Sequence, residues 1–464
     1  MQPKSFYIHT IGCQMNVADS EQMAAALAPM GYGPSPALES ADLVIVNTCS
    51  VRAKAEQKAF SILGRLADIK RRRPEVIVGV AGCVAQQEGE GILARAPYVD
   101  IVVGTRALHR LPAHVRRVEA ERCRIVDVAM SPAAPDPPTH RAAGPVCRFV
   151  TIMRGCDNFC AYCVVPYVRG REASRPPEEI LRDIGDAVEA GAREVTLLGQ
   201  NVNSYGQKEG YGTFAELLAR VNEIPGLLRM RFTTSHPKDL TTELMGCFAG
   251  LERLCPHIHL PVQSGSDRVL ARMHRGYTRE HYLDKVSKLR DTCPGIAVTS
   301  DMIVGFPGES EADFEQTLEL IRKVRFDGLF AFMYSDRPNA PARQFADKVP
   351  DALSRDRLHA LLALQDDITF ARNTALVGSK QRVLVEGGGR RPAAAGPFEV
   401  ERAQWTGRTG GNKIVHFHAG AGRVDAGSLV TVRIEKAMAH SLRGVVAEDA
   451  TADRTLKGGA QDAA

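Results

Sequence analysis

The stretch Arg154-Gly-Cys-Asp-Asn-Phe-Cys-Ala-Tyr-Cys163 decides how the rest of this 464-residue chain is read. Its cysteines, Cys156, Cys160 and Cys163, are spaced C-x3-C-x2-C, with the aromatic Tyr162 just before the last. Soft thiolates this close in sequence suit one iron–sulfur cluster. A four-iron cubane held by three cysteines keeps one iron without a protein ligand, an open position where a small molecule can bind and receive an electron. Structural zinc is the competing reading. Zinc normally closes a four-ligand shell, and no fourth Cys or His lies near Cys163.

Working outward, the chain alternates short apolar runs with helical patterns. Candidate strands are Cys147–Met153, Glu194–Leu198, Leu228–Thr233, His257–Val262, Val298–Val304 and Gly328–Tyr334. Helical patterns intervene at Pro177–Glu189, Phe214–Asn222, Tyr282–Asp291 and Ala312–Val324. Six βα units suit a partial (β/α)6 barrel. Parallel strands send their loops to the C-terminal face, where barrels of this kind do chemistry. The cysteine triad follows the first strand and so belongs on that face. Gln200, Asn201 and Asn203 follow the second strand, Ser235 and His236 the third, Gln263 and Ser264 the fourth. Asp301 and Glu309 flank Ile303–Gly308 around the fifth. His236, before Pro237, reads equally well as an ordinary loop histidine. Arg169, Arg171 and Arg175 follow the triad, either as a solvated basic loop or as contacts to phosphate or carboxylate.

Residues 1 to about 120 repeat the parallel α/β pattern. Phe6–Ile11 ends at Gly12-Cys13, Leu43–Asn47 at Thr48-Cys49, and Val76–Ala81 at Gly82-Cys83. Asp100–Gly104 is a fourth strand, and the clearest helix runs from Ala53 to Lys70. Cys13, Cys49 and Cys83 therefore each sit just past a strand's C-terminal end. In an open parallel sheet those ends share one edge, where ligands bind. The expectation is a second three-cysteine cluster, against the ordinary alternative of unconnected buried thiols.

The expected domains are 1–124, 146–375 and 376–446, with a linker at 125–145 marked by Ser131–Pro138 and a tail at 447–464. The fold class is α/β, closed by a small antiparallel β barrel with strands at Arg382–Val385, Ile414–Phe417 and Leu429–Ile434. Net charge is +5, while residues 376–446 hold eleven Lys and Arg against five Asp and Glu. Lys380, Arg382, Arg390, Arg391, Arg402, Arg408 and Lys413 cluster there around Trp405, the only tryptophan. Basic residues around an aromatic platform suit single-stranded RNA; a solubilising surface with a core tryptophan is the bland reading. Met1-Gln-Pro-Lys4 lacks an apolar secretory segment, and no apolar run is long enough to span a bilayer. Eleven cysteines without such a signal argue for reduced thiols, metal ligands and the cytoplasm.

The triad with Tyr162 resembles the radical S-adenosylmethionine (SAM) signature, C-x3-C-x-φ-C. The resemblance implies that the open iron of a 4Fe-4S cluster binds SAM, whose one-electron cleavage yields a carbon radical. It also implies that Tyr162, Gln200, Asn201, Ser235, His236, Gln263 and Asp301 lie around SAM. As a whole the chain resembles the radical SAM methylthiotransferases. Gly12-Cys-Gln-Met-Asn16, Asp19-Ser-Glu21, Asn47-Thr-Cys49 and Ala81-Gly-Cys83 match that family's N-terminal domain. Thr406-Gly-Arg-Thr409 and Ser441-Leu-Arg-Gly444 resemble a TRAM RNA-binding domain. Gly12–Asn16, Cys156–Cys160 and Leu198–Tyr205 are most similar to the bacterial branch that acts on N6-isopentenyladenosine at position 37 of tRNA.

That likeness implies two 4Fe-4S clusters, the one at Cys13, Cys49 and Cys83 carrying the sulfur that a second SAM methylates. It implies three partners: tRNA, a flavodoxin- or ferredoxin-type electron donor, and a sulfur supply system. An aromatic adenine C–H has no proton acidic enough for a side-chain base, which is why a radical is needed. Alternatives are threonylcarbamoyladenosine in tRNA or a ribosomal-protein aspartate as substrate, or a non-catalytic iron–sulfur RNA-binding regulator. Ser335–Pro341 and the long loop Gly387–Phe398 depart from the family pattern.

Overall fold

The computed structural model describes residues 4–50, 53–130, 144–388, 404–419 and 424–447, with side chains from residue 57 onward in the second segment. The segment Ser131–Pro138, Arg390, Arg391, Arg402, most of the loop Gly387–Phe398 and the expected tail lie outside the described residues.

The N-terminal unit is a six-stranded sheet, parallel throughout, in the order Tyr32–Pro34, Lys4–Thr10, Leu43–Thr48, Ile77–Gly82, Ile101–Val103, Ile125–Asp127. Every residue of Leu43–Thr48 and Ile77–Gly82 is buried, as for central strands covered by helices on both faces. The order reverses between Lys4–Thr10 and Leu43–Thr48. A crevice forms at such a reversal, beyond the carboxyl ends of the strands. The three strands preceding Cys13, Cys49 and Cys83 are adjacent in this sheet, with Thr10 opposite Asn47 and Thr48 opposite Gly82.

The central unit has the six expected strands, at Cys147–Thr151, Glu194–Leu198, Arg229–Phe232, His257–His259, Ala297–Val304 and Gly328–Met333. They form two parallel three-stranded sheets, linked by a parallel bridge between Met230 and Leu254. The result is an open partial barrel in sequence order. Its helices start where local chemistry dictates. Pro177–Glu189 opens on proline with Glu178 and Glu179 in its first turn. Phe214–Asn222 and Glu311–Val324 carry capping boxes from Thr213/Glu216 and Ser310/Asp313. The long helix Asp351–Thr374 packs on the last strand and leads into the C-terminal barrel.

That small barrel is closed, in the order Lys380–Gly388, Gln404–Thr409, Ile414–His418, Leu442–Val446, Leu429–Ala437. It docks beneath the partial barrel, against the starts of its strands. Arg229 donates to the carbonyls of Arg408 (2.7 Å) and Arg382 (2.8 Å). Arg231 donates to Thr409 O (2.7 Å) and Gly410 O (2.8 Å) and pairs with buried Glu194 at 3.0 Å. Lys413 reaches Asp327 O at 3.1 Å.

This docking corrects part of the RNA-facing set. Arg408 pairs with Glu386 at 3.0 Å and Lys413 with Asp327, so both are committed within the protein. Trp405 is half-buried against the small barrel's core and is no open platform. Lys380 and Arg382 are exposed, as are Arg433, Lys436 and Arg443.

Replacing Arg231 by Met leaves Glu194 buried without its partner, a loss of about 3–5 kcal/mol for such pairs. Trp405, the only tryptophan, reports on the small barrel. Its fluorescence transition in urea should fall to lower concentration in Arg231→Met than in the parent; an unchanged midpoint contradicts the docking account.

Candidate active site

The glycines before Cys13 and Cys83 shape the N-terminal crevice. Gly12 has φ +145°, and a Cβ there would lie 2.6 Å from Cys49 Cβ. Gly82 has φ +92°, and a Cβ would lie 2.4 Å from Thr48 O. Side-chain amides then tie the strand ends together. Asn16 Nδ2 donates to Thr48 O (2.9 Å) and Asn47 Oδ1 (3.1 Å). Asn47 Nδ2 donates to Asn16 O (2.8 Å) and Ser20 Oγ (2.9 Å). Thr48 Oγ1 donates to Ala81 O (2.6 Å) and accepts from Val84 N (3.2 Å). Cys13 caps the helix Gln14–Leu27, Cys49 follows Thr48, and Cys83 opens the helix Cys83–Glu88. A hydrogen bond with Cys49 holds the Cys13 thiol below its ordinary pKa, while burial raises that of Cys83.

Around the central triad each sulfur meets one N–H donor. Asn158 Nδ2 points to Cys156 Sγ at 3.5 Å, Val165 N to Cys163 Sγ at 3.5 Å, and Arg275 Nη1 to Cys160 Sγ at 3.3 Å. Such donors to thiolate sulfur tune iron–sulfur potentials. Burial pushes the Cys163 thiol up to about 12 and raises Cys156 as well. A soft metal bound directly deprotonates such sulfurs outright. Among the described residues no group of His, Cys, Asp or Glu is drawn tightly enough to hold a metal ion. A cubane asks for something different, one sulfur per iron.

The loop residues on the same face divide into braces and open groups. Gln200 Oε1 accepts from Gly155 N, so its side chain holds the loop entering the triad. Asn201 Nδ2 donates to Ser204 (3.0 Å) and Asp239 (2.7 Å). Tyr162 packs beside Ala161, Met273 and Phe306, its hydroxyl 3.4 Å from Arg275. Asp301 faces His259 at 3.5 Å, and His259 meets exposed Phe330 edge-on at 6.2 Å. Gln263 is buried with φ +76°, and Thr234, just before Ser235, has φ +71°. Left-handed non-glycine backbone of this kind persists where the surroundings over-determine it. His236 is buried, and that burial depresses its pKa to about 2, so the ring is neutral. Its Nδ1 accepts from Lys238 N at 3.2 Å, while its Nε2 is buried without a partner. Ser235 Oγ, Asn201 Oδ1 and Asn203 Oδ1 are buried and unpartnered too. Orphaned polar atoms at one strand-end face fit a polar ligand that satisfies them.

The two cysteine sets meet across one seam. Cys83 packs with Val164, Val168 and Ala340. Thr105 Oγ1 donates to Val168 O, and Arg106 to Arg169 O (2.9 Å) and Arg171 O (2.8 Å). Arg154 reaches Gln22 at 3.0 Å. Of the three loop arginines, Arg169 is buried against Asp19 at 2.7 Å, and Arg175 is held by Asp183 (2.8 Å) and Thr151 O (2.7 Å). These two are corrections to the phosphate reading. Arg171 remains exposed, over the Phe159 ring. Arg275 was not singled out by the sequence reading, because Met273-His-Arg-Gly276 carries no distinctive pattern.

Comparison with known proteins agrees with this layout. Residues 5–104 match uncharacterized protein family UPF0004, residues 150–321 the radical SAM superfamily and residues 374–447 the TRAM domain. Among solved structures, the radical SAM methyltransferase TsrM from Kitasatospora setae, with tryptophan and a SAM analogue, aligns at TM-score 0.56 and 12% identity. That alignment covers 79% of this chain and 89% of TsrM, a likeness of fold alone. These matches define a radical SAM protein with an N-terminal parallel domain and a C-terminal TRAM barrel. A tRNA-2-methylthio-N(6)-dimethylallyladenosine synthase of Desulfosudis oleivorans is 57% identical over 451 residues, covering 95% of this chain and 96% of that protein. One from Geobacter metallireducens is 53% identical, covering 96% and 98%. The chain belongs to the tRNA-2-methylthio-N(6)-dimethylallyladenosine synthase family.

Arg275→Met removes the donor to Cys160. In protein whose Cys13, Cys49 and Cys83 are Ala, this change should lower iron retained after anaerobic reconstitution. Equal iron and an identical cluster spectrum contradict the role given to Arg275.

Proposed function

We propose that the chain methylthiolates C2 of N6-isopentenyladenosine at position 37 of tRNA. Cys156, Cys160 and Cys163 would hold one 4Fe-4S cluster, and Cys13, Cys49 and Cys83 the other. When bound, the first supplies the electron that cleaves SAM to a hydrogen-abstracting radical, and the second supplies sulfur. The chain's own residues bind and orient. Asn158, Val165 and Arg275 offer N–H groups to the sulfurs of the triad. Ser235, His236, Asn201 and Asn203 present unpartnered polar atoms toward SAM, with Gln200 and Tyr162 as braces. Neutral His236 accepts or donates one hydrogen bond without adding charge.

The observation that carries this reading is Cys83 packed on Val164, the residue after Cys163, and on Val168. Radical formation and sulfur delivery must converge on one adenine carbon, and a contact between Cys83 and the residues that follow Cys163 supports that convergence. The N-terminal unit runs past the expected limit of 124, because Ile125–Asp127 is its edge strand and not linker; the limits 146–375 and 376–446 follow from the same division of labour. Among the described residues no helix is long and apolar enough to cross a membrane. We assign the work to the cytoplasm, with a low-potential flavodoxin- or ferredoxin-type donor and a sulfur supply system as partners.

Reconstituted enzyme with SAM, reductant and isopentenylated tRNA should give 5′-deoxyadenosine and the 2-methylthio nucleoside by mass spectrometry. Cys83→Ala should still give 5′-deoxyadenosine but no methylthio product. Product only on threonylcarbamoylated tRNA overturns the substrate; loss of 5′-deoxyadenosine in Cys83→Ala overturns the division between the sites.

RNA binding is proposed for the exposed face of the TRAM barrel. Lys380 stands opposite Arg433, which Glu435 already meets at 3.0 Å, and Lys436 stands opposite Arg443. Like charges directly opposite are destabilising, and a phosphate between them reverses the sign. Replacing Arg433, Lys436 and Arg443 by Ala should weaken tRNA binding and flatten the log–log salt slope by about 0.9 per lost phosphate contact. Parent-like affinity and slope place the RNA elsewhere.

A further inference from the structure

Arg169 belongs to the central unit's chain but sits in the N-terminal crevice. It follows the short helix Val165–Val168, which begins just past Cys163. Its side chain is 5% exposed and ion-paired at 2.7 Å with Asp19, which is 1% exposed. Asp19 lies on the helix Gln14–Leu27, whose cap is Cys13. The backbone around Arg169 is clamped by Thr105 and Arg106 of the N-terminal unit. Cys83 packs against Val168, the residue before Arg169, so the guanidinium lies beside the N-terminal cysteines. Carboxylate and cation thus each lie six residues after a cysteine, Cys13 and Cys163, one from each set.

A buried ion pair is a poor stabiliser, because desolvation offsets most of the attraction. Pure domain adhesion is therefore a weak reason to bury this one. A group held by three thiolates gathers negative charge, and where Cys49 and Cys83 are buried a nearby cation acts on it more strongly than in water. A guanidinium stays charged there and has donors to spare after binding one carboxylate oxygen.

We propose that Arg169 is a positioning residue for the N-terminal cysteine site, a charge-compensating cation lent by the SAM-cluster loop that sets the site's reduction potential. The proposal rests on the reading that Cys13, Cys49 and Cys83 hold a 4Fe-4S cluster. It makes the loop Cys163–Arg169 a physical connection between the two sites: any shift of the first moves a charge beside the second.

The test uses full-length protein with Cys156, Cys160 and Cys163 replaced by Ala, so that iron remains only at the N-terminal site. Its one-electron midpoint is measured by reductive titration followed by electron paramagnetic resonance. Arg169→Met removes a positive charge and should move the midpoint to more negative potential. Asp19→Asn removes a negative charge and should move it the opposite way, while Arg169→Lys should stay near the parent. Opposite shifts cannot come from a merely structural pair, whose loss would loosen the site in either variant. If Arg169→Met loses its iron, the Asp19→Asn shift and the Arg169→Lys value decide. Unchanged midpoints at full iron content, or shifts of one sign, overturn the proposal. Absence of iron in the parent triple variant overturns the cluster reading itself, and this inference with it.

Discussion

Where parallel strands stop side by side, the chain beyond them must be held without a continuing ladder. The N-terminal crevice meets that demand with the side chains of Asn16, Asn47 and Thr48, which bond across three neighbouring strand ends. Because they are short and buried, these groups hold the strand ends tightly, and leaving any one unsatisfied costs about 1–3 kcal/mol. Cys49 and Cys83 are the next residues along the chain, and Cys13 lies three residues past Thr10. Their convergence is thus a consequence of parallel topology plus this amide and hydroxyl net, with Gly12 and Gly82 allowing the close approach.

The same geometry repeats in the partial barrel, whose first strand delivers the second cysteine set to its own C-terminal face. Two such faces can cooperate only if they meet. The seam brings them together through Cys83 on Val164 and Val168, Arg106 on the carbonyls beyond, and Asp19 on Arg169. The TRAM barrel is docked at the opposite end of the strands, through Arg229 and Arg231. That arrangement keeps the basic barrel away from the C-terminal ends of the strands, where the cysteines lie.

Much of this was legible in the sequence because apolar runs and the residues closing them mark parallel strands. All six central strands and the four inner N-terminal ones lie where that pattern puts them, within a few residues. The edge strands Tyr32–Pro34 and Ile125–Asp127 were missed: each is three residues long and paired on one side only. Gln404–Thr409 is polar and contains Gly407, which fits because a Cβ there would lie 2.2 Å from Leu384 O. Contacts between units carry no local signal. Arg169 and Arg175 read either as a solvated loop or as phosphate or carboxylate contacts, and Arg408 and Lys413 as RNA contacts, yet Asp19, Asp183, Glu386 and Asp327 claim them. Arg275 was invisible for the same reason, since Cys160 meets it only in the fold.

The central claim is that two three-cysteine sites stand side by side across the seam. Anomalous scattering at the iron edge, from crystals of reconstituted full-length protein, tests it most directly. The account predicts two iron peaks, one among Cys13, Cys49 and Cys83 and one among Cys156, Cys160 and Cys163, with the loop 164–169 between them. A single peak, or iron at Cys123, Cys147, Cys247, Cys255 or Cys293, would contradict it.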